Sequence, residues 1–311
     1  MQTFASGSWA RPLELLQKGD FRALSRCISL VENGAVGWRD LLKSLPGDSR
    51  TVVIGITGPP GAGKSTLVDA LITEMKPARV AVLAVDPSSP FSRGSLLGDR
   101  IRMSGHFNDN RVFIRSLASR GAAGGLSPRI IEISDLVRAS GFDYLFIETV
   151  GVGQGEVEIS GIAEVTAVVL LPGSGDSIQV LKSGLMEIAD LFVVNKADLP
   201  QAPELVRQIL ESPGRNQEVR VLSTVARNHE GITEVKTGIL GIAGAFCADP
   251  AKRSRLLASK AAGLIRQRMA ESIRATDLLE EINSRMERGD FNLYEFVEGF
   301  PFRSPRRGRD S

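Results

Sequence analysis

Cysteine and histidine are scarce in this chain of 311 residues, which contains two of each. Cys27 and Cys247 are far apart and form no C-x-x-C, so the sequence predicts neither a disulfide framework nor a thiolate metal site. Both thiols are expected to be small, buried, apolar side chains. His106 and His229 have no second His or Cys at the spacing of metal ligands. A protein that carries a transition metal as cargo is therefore disfavoured.

Excess charge of one sign and long apolar runs are also missing. Lys and Arg total 38 against 36 for Asp and Glu, a net charge of +2, which argues against nucleic acid as the main partner because such proteins carry a clustered basic surface. No apolar run reaches the roughly 18 residues that a membrane-spanning helix needs. The N-terminal 21-mer "MQTFASGSWARPLELLQKGDF" lacks an uninterrupted signal-peptide core. These absences predict a soluble, cytoplasmic protein with no membrane partner.

The apolar residues that are present, 42% of the chain, gather in short continuous runs separated mostly by helical stretches. The runs cover residues 52–57, 79–86, 112–116, 143–149, 165–172, 190–198 and 218–223. Continuous rather than alternating hydrophobicity indicates strands that are buried on both faces. The predicted fold is α/β, with a doubly wound, mostly parallel sheet that binds ligands at the carboxyl ends of its strands.

Helical patterns flank this predicted domain, which spans 49–247. The segment 1–48 carries apolar residues at helical spacing, interrupted at Gly19 and Gly34, and predicts two or three short helices packed on the main domain. The segment 248–311 is rich in charge and predicts a helical region with a solvated tail. Its apolar stripe, which could pack on its own subunit or on a second one, consists of Leu257, Ala261, Leu264, Met269 and Ile273.

The stretch "GITGPPGAGKSTLVDAL" at 55–71 joins a predicted strand to a predicted helix through a turn of prolines and glycines. It fits G-x-x-x-x-G-K-[ST], the phosphate-binding loop. Glycines let backbone amides approach phosphate oxygens, Lys64 reaches the β and γ oxygens, and the Ser65 hydroxyl can bind Mg²⁺. The predicted nucleotide contacts here are Gly61, Ala62, Gly63, Lys64, Ser65 and Thr66. Such a loop fits ATPases, GTPases and kinases alike.

The string "NKAD" at 195–198 ends a predicted strand and separates these classes. The Asp198 carboxylate can accept hydrogen bonds from both N1–H and N2–H₂ of guanine, which adenine lacks. Asn195 and Lys196 would shape and cover the base pocket. The sequence therefore predicts a site for GTP and GDP.

The string "IETVGVGQGE" resembles the D-x-x-G segment of GTPases, with Glu148 in place of the aspartate. Glu148 would hold Mg²⁺ directly or through water, and the Gly151 amide would sense the γ-phosphate. Asp86 ends a predicted strand and Asp99 lies in a loop, and both are placed to join the metal region. The plainer alternative for each is an ordinary turn or loop residue.

Two loops are predicted to act as switches that a γ-phosphate could order. The loop 87–110 is too long for an ordinary connection, and the loop 172–184 carries Asp176, Gln179 and Lys182 next to the expected nucleotide edge.

Over roughly residues 20 to 245 the chain resembles the MeaB/ArgK family of GTPases associated with methylmalonyl-CoA mutase, through "GPPGAGKST", "VDPSSP", "LLGDRIRM", "RSLASRGAAGGLS", "ETVGVGQGE", "LLPGSGDSIQVLKSGLMEIAD" and "NKAD". The resemblance implies a homodimeric G-protein chaperone, with 248–311 as the dimerisation region. It would couple GTP binding and hydrolysis to loading, protection or exchange of adenosylcobalamin in an acyl-CoA mutase. The implied magnesium and catalytic residues are Lys64, Asp86, Asp99, Glu148 and Lys182, and the implied last guanine loop contains Ser223 and Thr224.

Three other functions stay open. A nickel-delivery GTPase would need a His-rich tract or a Cys/His cluster, which two isolated histidines and two distant cysteines do not supply. A kinase that energises a transport system would normally read adenine, against "NKAD". A regulatory module could hydrolyse GTP too slowly for turnover to matter. The acyl group that the client mutase rearranges is not determined by the sequence.

Overall fold

The computed structural model describes residues 9–47, 49–86, 103–106, 108–119, 126–149, 151, 155–174, 184–212, 216, 218–273, 275–288 and 291–300. The chain divides into two compact units, Met1–Leu256 and Leu257–Ser311.

A parallel sheet forms the centre of the first unit. Its seven described strands are β1 (Val52–Thr57), β2 (Val80–Asp86), β3 (Val112–Ala118), β4 (Tyr144–Glu148), β5 (Val165–Leu170), β6 (Leu191–Asn195) and β7 (Arg220–Thr224). They lie in the order β3-β2-β4-β1-β5-β6-β7, and each neighbouring pair is parallel. The predicted doubly wound α/β sheet is confirmed. Because the chain fills one side of β1 and then the other, the loop after β1 lies at the topological switch point, where such folds bind ligands.

Helices precede the sheet, connect its strands and follow it. The first unit contains α1 (Ala10–Gln17), α2 (Phe21–Glu32), α3 (Trp38–Lys43), α4 (Lys64–Glu74), α5 (Ile130–Arg138), α6 (Gly155–Glu158), α7 (Leu185–Ile188), α8 (Ala202–Glu211) and α9 (Ile232–Ala248). The helix α10 (Pro250–Ser272) contains the boundary between the units. At the start of α2, the Asp20 carboxylate accepts a hydrogen bond from the Ala23 amide at 2.8 Å, which caps the helix. The predicted N-terminal helices are confirmed.

Apolar side chains cover both faces of the sheet, as continuous hydrophobic runs require. On one face, Val53 of β1 belongs to the same buried cluster as residues of α2 and α5. On the other, Ile54 and Ile56 belong to a cluster with residues of α4 and α9. The N-terminal helices therefore pack on the main domain, and α4 places the phosphate loop against the sheet.

The second unit contains the rest of α10 together with α11 (Ala275–Glu287) and α12 (Leu293–Glu298), which confirms the predicted helical C-terminal region. Inside it, Phe296 is buried, and its ring centroid lies 5.9 Å from those of both Phe291 and Phe300. Of the predicted stripe, Leu257 is 67% exposed and Met269 is 42% exposed. Among the described residues, no helix is both long and apolar enough to cross a membrane.

The two cysteines have different environments. Cys27 of α2 is buried, as predicted, and burial raises the pKa of its thiol to about 11. Cys247 is exposed, so the expectation of burial is wrong for it. The physical reason is its place in the last turn of α9, where each residue after Ala243 is at least partly exposed because the helix has passed beyond its packed layer.

Candidate nucleotide-binding site

The phosphate loop, residues 58–65, leaves β1 and enters α4 through three glycines in the left-handed region. Gly58, Gly61 and Gly63 have φ angles of 136°, 76° and 85°, which other residues adopt only with strain. A Cβ at Gly58 would overlap the Val169 carbonyl oxygen, and one at Gly63 would overlap the Asn195 side-chain amide. Gly61 is exposed, and nothing lies within 4 Å of where its Cβ would be. The loop is therefore tight against the protein at Gly58 and Gly63 and open at Gly61.

Lys64, the first residue of α4, is only 6% exposed. Its Nζ donates hydrogen bonds to the carbonyl oxygens of Gly58 at 2.8 Å and Pro59 at 3.1 Å. The loop thus holds the ammonium at the helix N-terminus, where backbone amides and the helix dipole also favour an anion. Phosphate oxygens can replace the two carbonyl oxygens as hydrogen-bond acceptors for the Lys64 ammonium.

A hydroxyl and a carboxylate meet beside this lysine. The Ser65 Oγ donates to Glu148 Oε1 at 2.7 Å, and both residues are buried. Glu148 ends β4 and pairs with Ala84 of β2, so Asp86, which ends β2, reaches the same edge of the sheet. Hydroxyl and carboxylate oxygens are the donors that Mg²⁺ takes from proteins. The Asp86 side chain and all of Asp99 lie outside the described residues.

Gly151 follows β4 and passes directly against the phosphate loop. Its φ is 88°, and a Cβ there would overlap the Gly58 carbonyl oxygen and lie 2.7 Å from Lys64 Nζ. Only glycine fits this approach. A displacement of the Lys64 side chain would therefore change the contacts of the Gly151 backbone. Most of the predicted switch loop 87–110 lies outside the described residues. So do residues 175–183 of the predicted switch loop 172–184, which include Lys182.

Asn195, at the end of β6, braces the loop. It is 3% exposed, and its Nδ2 donates to the Ala62 carbonyl oxygen at 2.9 Å. Its Oδ1 accepts from Thr224 Oγ1 and from the Ala226 amide, both at 3.1 Å. The observed contacts join the phosphate loop to the chain that follows β7, a bridging role that the sequence interpretation missed. Ala62 and Thr224 are both buried.

The remaining predicted guanine residues lie at the surface of the same edge. Lys196 has a φ of 57°, and its carbonyl oxygen accepts from the Leu199 amide at 3.0 Å, which closes a turn. Lys196, Asp198 and Ser223 are exposed, as is Thr66 in the first turn of α4. The Ala197 amide donates to the Thr224 carbonyl oxygen at 3.0 Å, which fixes this turn to the end of β7. The structure brings the phosphate and guanine motifs to one edge.

Two further polar pairs, one at the ends of β1 and β4 and one involving α4, were not predicted. The hydroxyl oxygens of Thr57 and Thr149 lie 2.9 Å apart and are buried. His106 Nε2 lies 3.1 Å from Asp69 Oδ1 on α4. The only sequence signal for the first pair is a threonine at the end of each apolar run, "VVIGIT" and "LFIET". Among the described residues, no group of three or more His, Cys, Asp or Glu side chains could hold a metal ion.

A parallel sheet with a phosphate loop between β1 and α4, and an "NKAD" turn after β6 at the same edge, defines the class of P-loop GTPases. The family model for "Methylmalonyl Co-A mutase-associated GTPase MeaB" matches residues 24–278. The chain belongs to this family.

Individual proteins agree with this assignment. The chain is 36% identical to the GTPase ArgK of Escherichia coli over 255 residues, which is 77% of each chain. It is 37% identical to a fused isobutyryl-CoA mutase of Geobacillus kaustophilus over 222 residues, which is 67% of this chain and 20% of that protein. The crystal structure of an LAO/AO transport system kinase superposes with a TM-score of 0.68 at 25% identity, covering 96% of this chain and 97% of that one. The predicted family resemblance is confirmed.

Proposed function

We propose that this GTPase is a G-protein chaperone that couples GTP binding and hydrolysis to loading, protection or exchange of adenosylcobalamin in an acyl-CoA mutase. The observation that carries the proposal is the similarity to a fused isobutyryl-CoA mutase, in which the matching region is 20% of one longer chain. Fusion gives two modules a high effective concentration for each other. We propose that the present chain acts on an acyl-CoA mutase in the same way.

The phosphate loop supplies the binding step. Its amides and Lys64 would hold the β and γ oxygens, and Asp198 would read guanine. Ser65 and Glu148, with Asp86 and Asp99, would hold Mg²⁺; the buried hydroxyl and carboxylate 2.7 Å apart fit such an ion. When bound, the ion would neutralise charge on the β and γ oxygens.

The coupling step depends on the γ-phosphate, the group in which GTP differs from GDP. The close approach of Gly151 to Lys64 and the phosphate loop supports a role for its backbone in sensing that phosphate. A partner that brings Lys182 or Gln179 toward the phosphates would supply charge or orientation that the isolated protein lacks. Stimulation of ten- to thousandfold needs about 1.4 to 4 kcal/mol, which one well-placed charged contact can give.

A homodimer through residues 248–311 is part of the proposal. In the second unit, Leu279, Met286 and Tyr294 are 61%, 60% and 78% exposed, and we propose that a second copy covers these large side chains. We place the protein in the cytoplasm, where GTP and acyl-CoA substrates are available. Sedimentation of the full chain tests the dimer, which a monomer at micromolar concentration contradicts.

Single-turnover GTP hydrolysis, with and without an adenosylcobalamin-dependent mutase from the source organism, tests the coupling. The expected result is faster hydrolysis with mutase and nucleotide-dependent transfer of adenosylcobalamin. A rate that no such mutase changes contradicts the proposal.

A second candidate, a kinase that serves a transport system, is favoured only by the name of the structural relative. It requires transfer of the γ-phosphate to a protein, whereas the proposed GTPase releases it to water. Incubation with γ-labelled GTP separates the two, because label retained on protein supports the kinase and label released as inorganic phosphate supports the GTPase.

A further inference from the structure

Two threonines fasten β1 to β4 immediately beyond their last paired residues. The ladder between these strands ends at Ile56 and Glu148. One residue further along, the hydroxyl oxygens of Thr57 and Thr149 lie 2.9 Å apart, and the side chains are 0% and 3% exposed. The Thr149 amide also donates to the Ile56 carbonyl oxygen at 3.1 Å. The association of the two chains thus continues past the sheet through a buried hydroxyl pair, here called the threonine clip.

The threonine clip and the Ser65 hydrogen bond hold the end of β4 from opposite faces. Side chains alternate along a strand; Phe146 of β4 belongs to the cluster on the α4 face, and Ile147 belongs to the cluster on the other face. Glu148 shares the face of Phe146 and is bonded there to Ser65. Thr149 shares the face of Ile147. Because a hydrogen bond holds the chain on each face, Glu148 and Thr149 at the end of β4 are fixed relative to α4 and β1.

The segment held in this way leads directly to the γ-phosphate region. Thr57 precedes Gly58, and Thr149 lies two residues before Gly151. A Cβ at Gly151 would overlap the Gly58 carbonyl oxygen and lie 2.7 Å from Lys64 Nζ, so the Gly151 backbone is in direct contact with the phosphate loop. A shift of Thr149 relative to Thr57 would therefore move Gly151 relative to Lys64.

The segment between β4 and β5 makes a second contact with β1, at Gly55. A Cβ at Gly55 would lie 2.5 Å from Ile159 Cγ1 and 3.2 Å from Ala163 Cβ. The missing side chain at Gly55 therefore lets Ile159 rest directly on β1. Thr149 and Ile159, which both lie between β4 and β5, therefore each contact β1.

We propose that Thr57 and Thr149 are positioning residues that set the register of the phosphate loop relative to Glu148 and Gly151, and thereby the ratio of GTP affinity to GDP affinity and the rate of hydrolysis. This inference rests on the GTP hydrolysis of the proposed function and is independent of the mutase. Neither threonine needs to touch the nucleotide.

The test uses Thr149→Val, which keeps the shape of the side chain and removes its hydroxyl. We expect the affinity ratio of a non-hydrolysable GTP analogue to GDP, measured by calorimetry with Mg²⁺ on the full chain, to fall about tenfold, or about 1.4 kcal/mol. The single-turnover rate at saturating GTP should fall by a similar factor, while GDP affinity changes less than about twofold, because the register matters only when the γ-phosphate is present. Thr149→Ser, which keeps the hydroxyl, should retain both values.

The double variant Thr57→Val with Thr149→Val addresses stability. A single valine leaves one buried hydroxyl without its partner, whereas two valines form an apolar contact and should recover most of the lost stability. The affinity ratio of the double variant should stay as low as that of Thr149→Val, because the two changes remove one and the same interaction. A ratio restored along with the stability would overturn the proposal.

Thr51 provides the matched control at the opposite end of β1. Its buried hydroxyl donates to the Phe142 carbonyl oxygen at 2.6 Å, far along the strand from the phosphate loop. Thr51→Val should lower thermal stability and leave the GTP to GDP ratio unchanged. The proposal is wrong if Thr149→Val keeps the parental ratio and rate, or if Thr51→Val lowers the ratio equally. A parent protein that does not hydrolyse GTP contradicts the proposed function instead.

Discussion

The two halves of the nucleotide site lie at one edge of the same sheet and are constructed differently. In the phosphate half, Lys64, Ser65 and Glu148 are buried and bonded to one another or to the loop. In the base half, Lys196 and Asp198 are exposed on a turn. The phosphate half is preorganised by the protein's own groups, so a change there disturbs the loop itself. If Asp198 reads guanine, as proposed, a change there should alter only which base the site recognises.

Removing Lys64, the proposed phosphate-binding cation, should have the largest effect. Lys64→Ala deletes the ammonium that the loop holds, and the β and γ oxygens lose a charge-assisted partner. We expect GDP and GTP affinities to fall about hundredfold, or roughly 3 kcal/mol, by calorimetry. Lys43→Ala is the control, because Lys43 forms an exposed pair with Asp40 at 3.1 Å and such pairs contribute little. Unchanged affinities in Lys64→Ala would contradict its assigned role.

A change at Asn195 should affect both the phosphate half and the base half of the site. Asn195→Ala removes one donor from Ala62 and one acceptor from Thr224 and the Ala226 amide, all in buried surroundings. We expect the free energy of unfolding to fall by about 2 kcal/mol and affinities for both nucleotides to fall together.

Asn228 offers the comparison for that variant. It is exposed, and its side chain donates to Glu230 at 3.0 Å. Asn228→Ala should change the free energy of unfolding by less than about 0.5 kcal/mol. Equal effects of the two substitutions would show that Asn195 does not brace the site.

Substitution of Asp198, the proposed reader of the base, should have a smaller, selective effect. We expect Asp198→Asn to weaken guanine binding and relatively favour xanthine nucleotides, because an amide can donate to the xanthine 2-oxo group whereas a carboxylate is repelled. We expect about a tenfold shift in relative affinity, or about 1.4 kcal/mol, with no loss of thermal stability. Asp40→Asn on α3 serves as the control. Retained guanine preference in Asp198→Asn would show that "NKAD" does not read the base.

Much of the fold is predictable because its main signals are local. Seven continuous apolar runs located the seven strands, and the glycine and lysine spacing located the phosphate loop. The threonine clip joins residues 92 positions apart and the Asn195 brace spans 133 positions, so both depend on strand register, which no local pattern encodes. Cys247 was mispredicted because residue type indicates burial only where a helix still has a packing partner.

The apolar stripe of α10 shows a related limit of prediction from sequence. Helical spacing predicted an apolar face, and Leu257 and Met269 are indeed on a helix but exposed. A periodic pattern identifies the face, whereas its partner is set by packing that one sequence does not reveal. The role of Lys182 likewise stays a prediction, since it rests on the family resemblance.

Single-turnover GTP hydrolysis by the parent protein and by Lys182→Ala, each with and without the client mutase, tests the central claim most directly. For the parent we predict a slow rate alone, about 10⁻⁴ to 10⁻² s⁻¹ as for GTPases without their activator, and a ten- to thousandfold increase with mutase. Lys182→Ala should lose most of that increase. A parent rate that the mutase leaves unchanged, or a Lys182→Ala variant stimulated as strongly as the parent, would contradict the account.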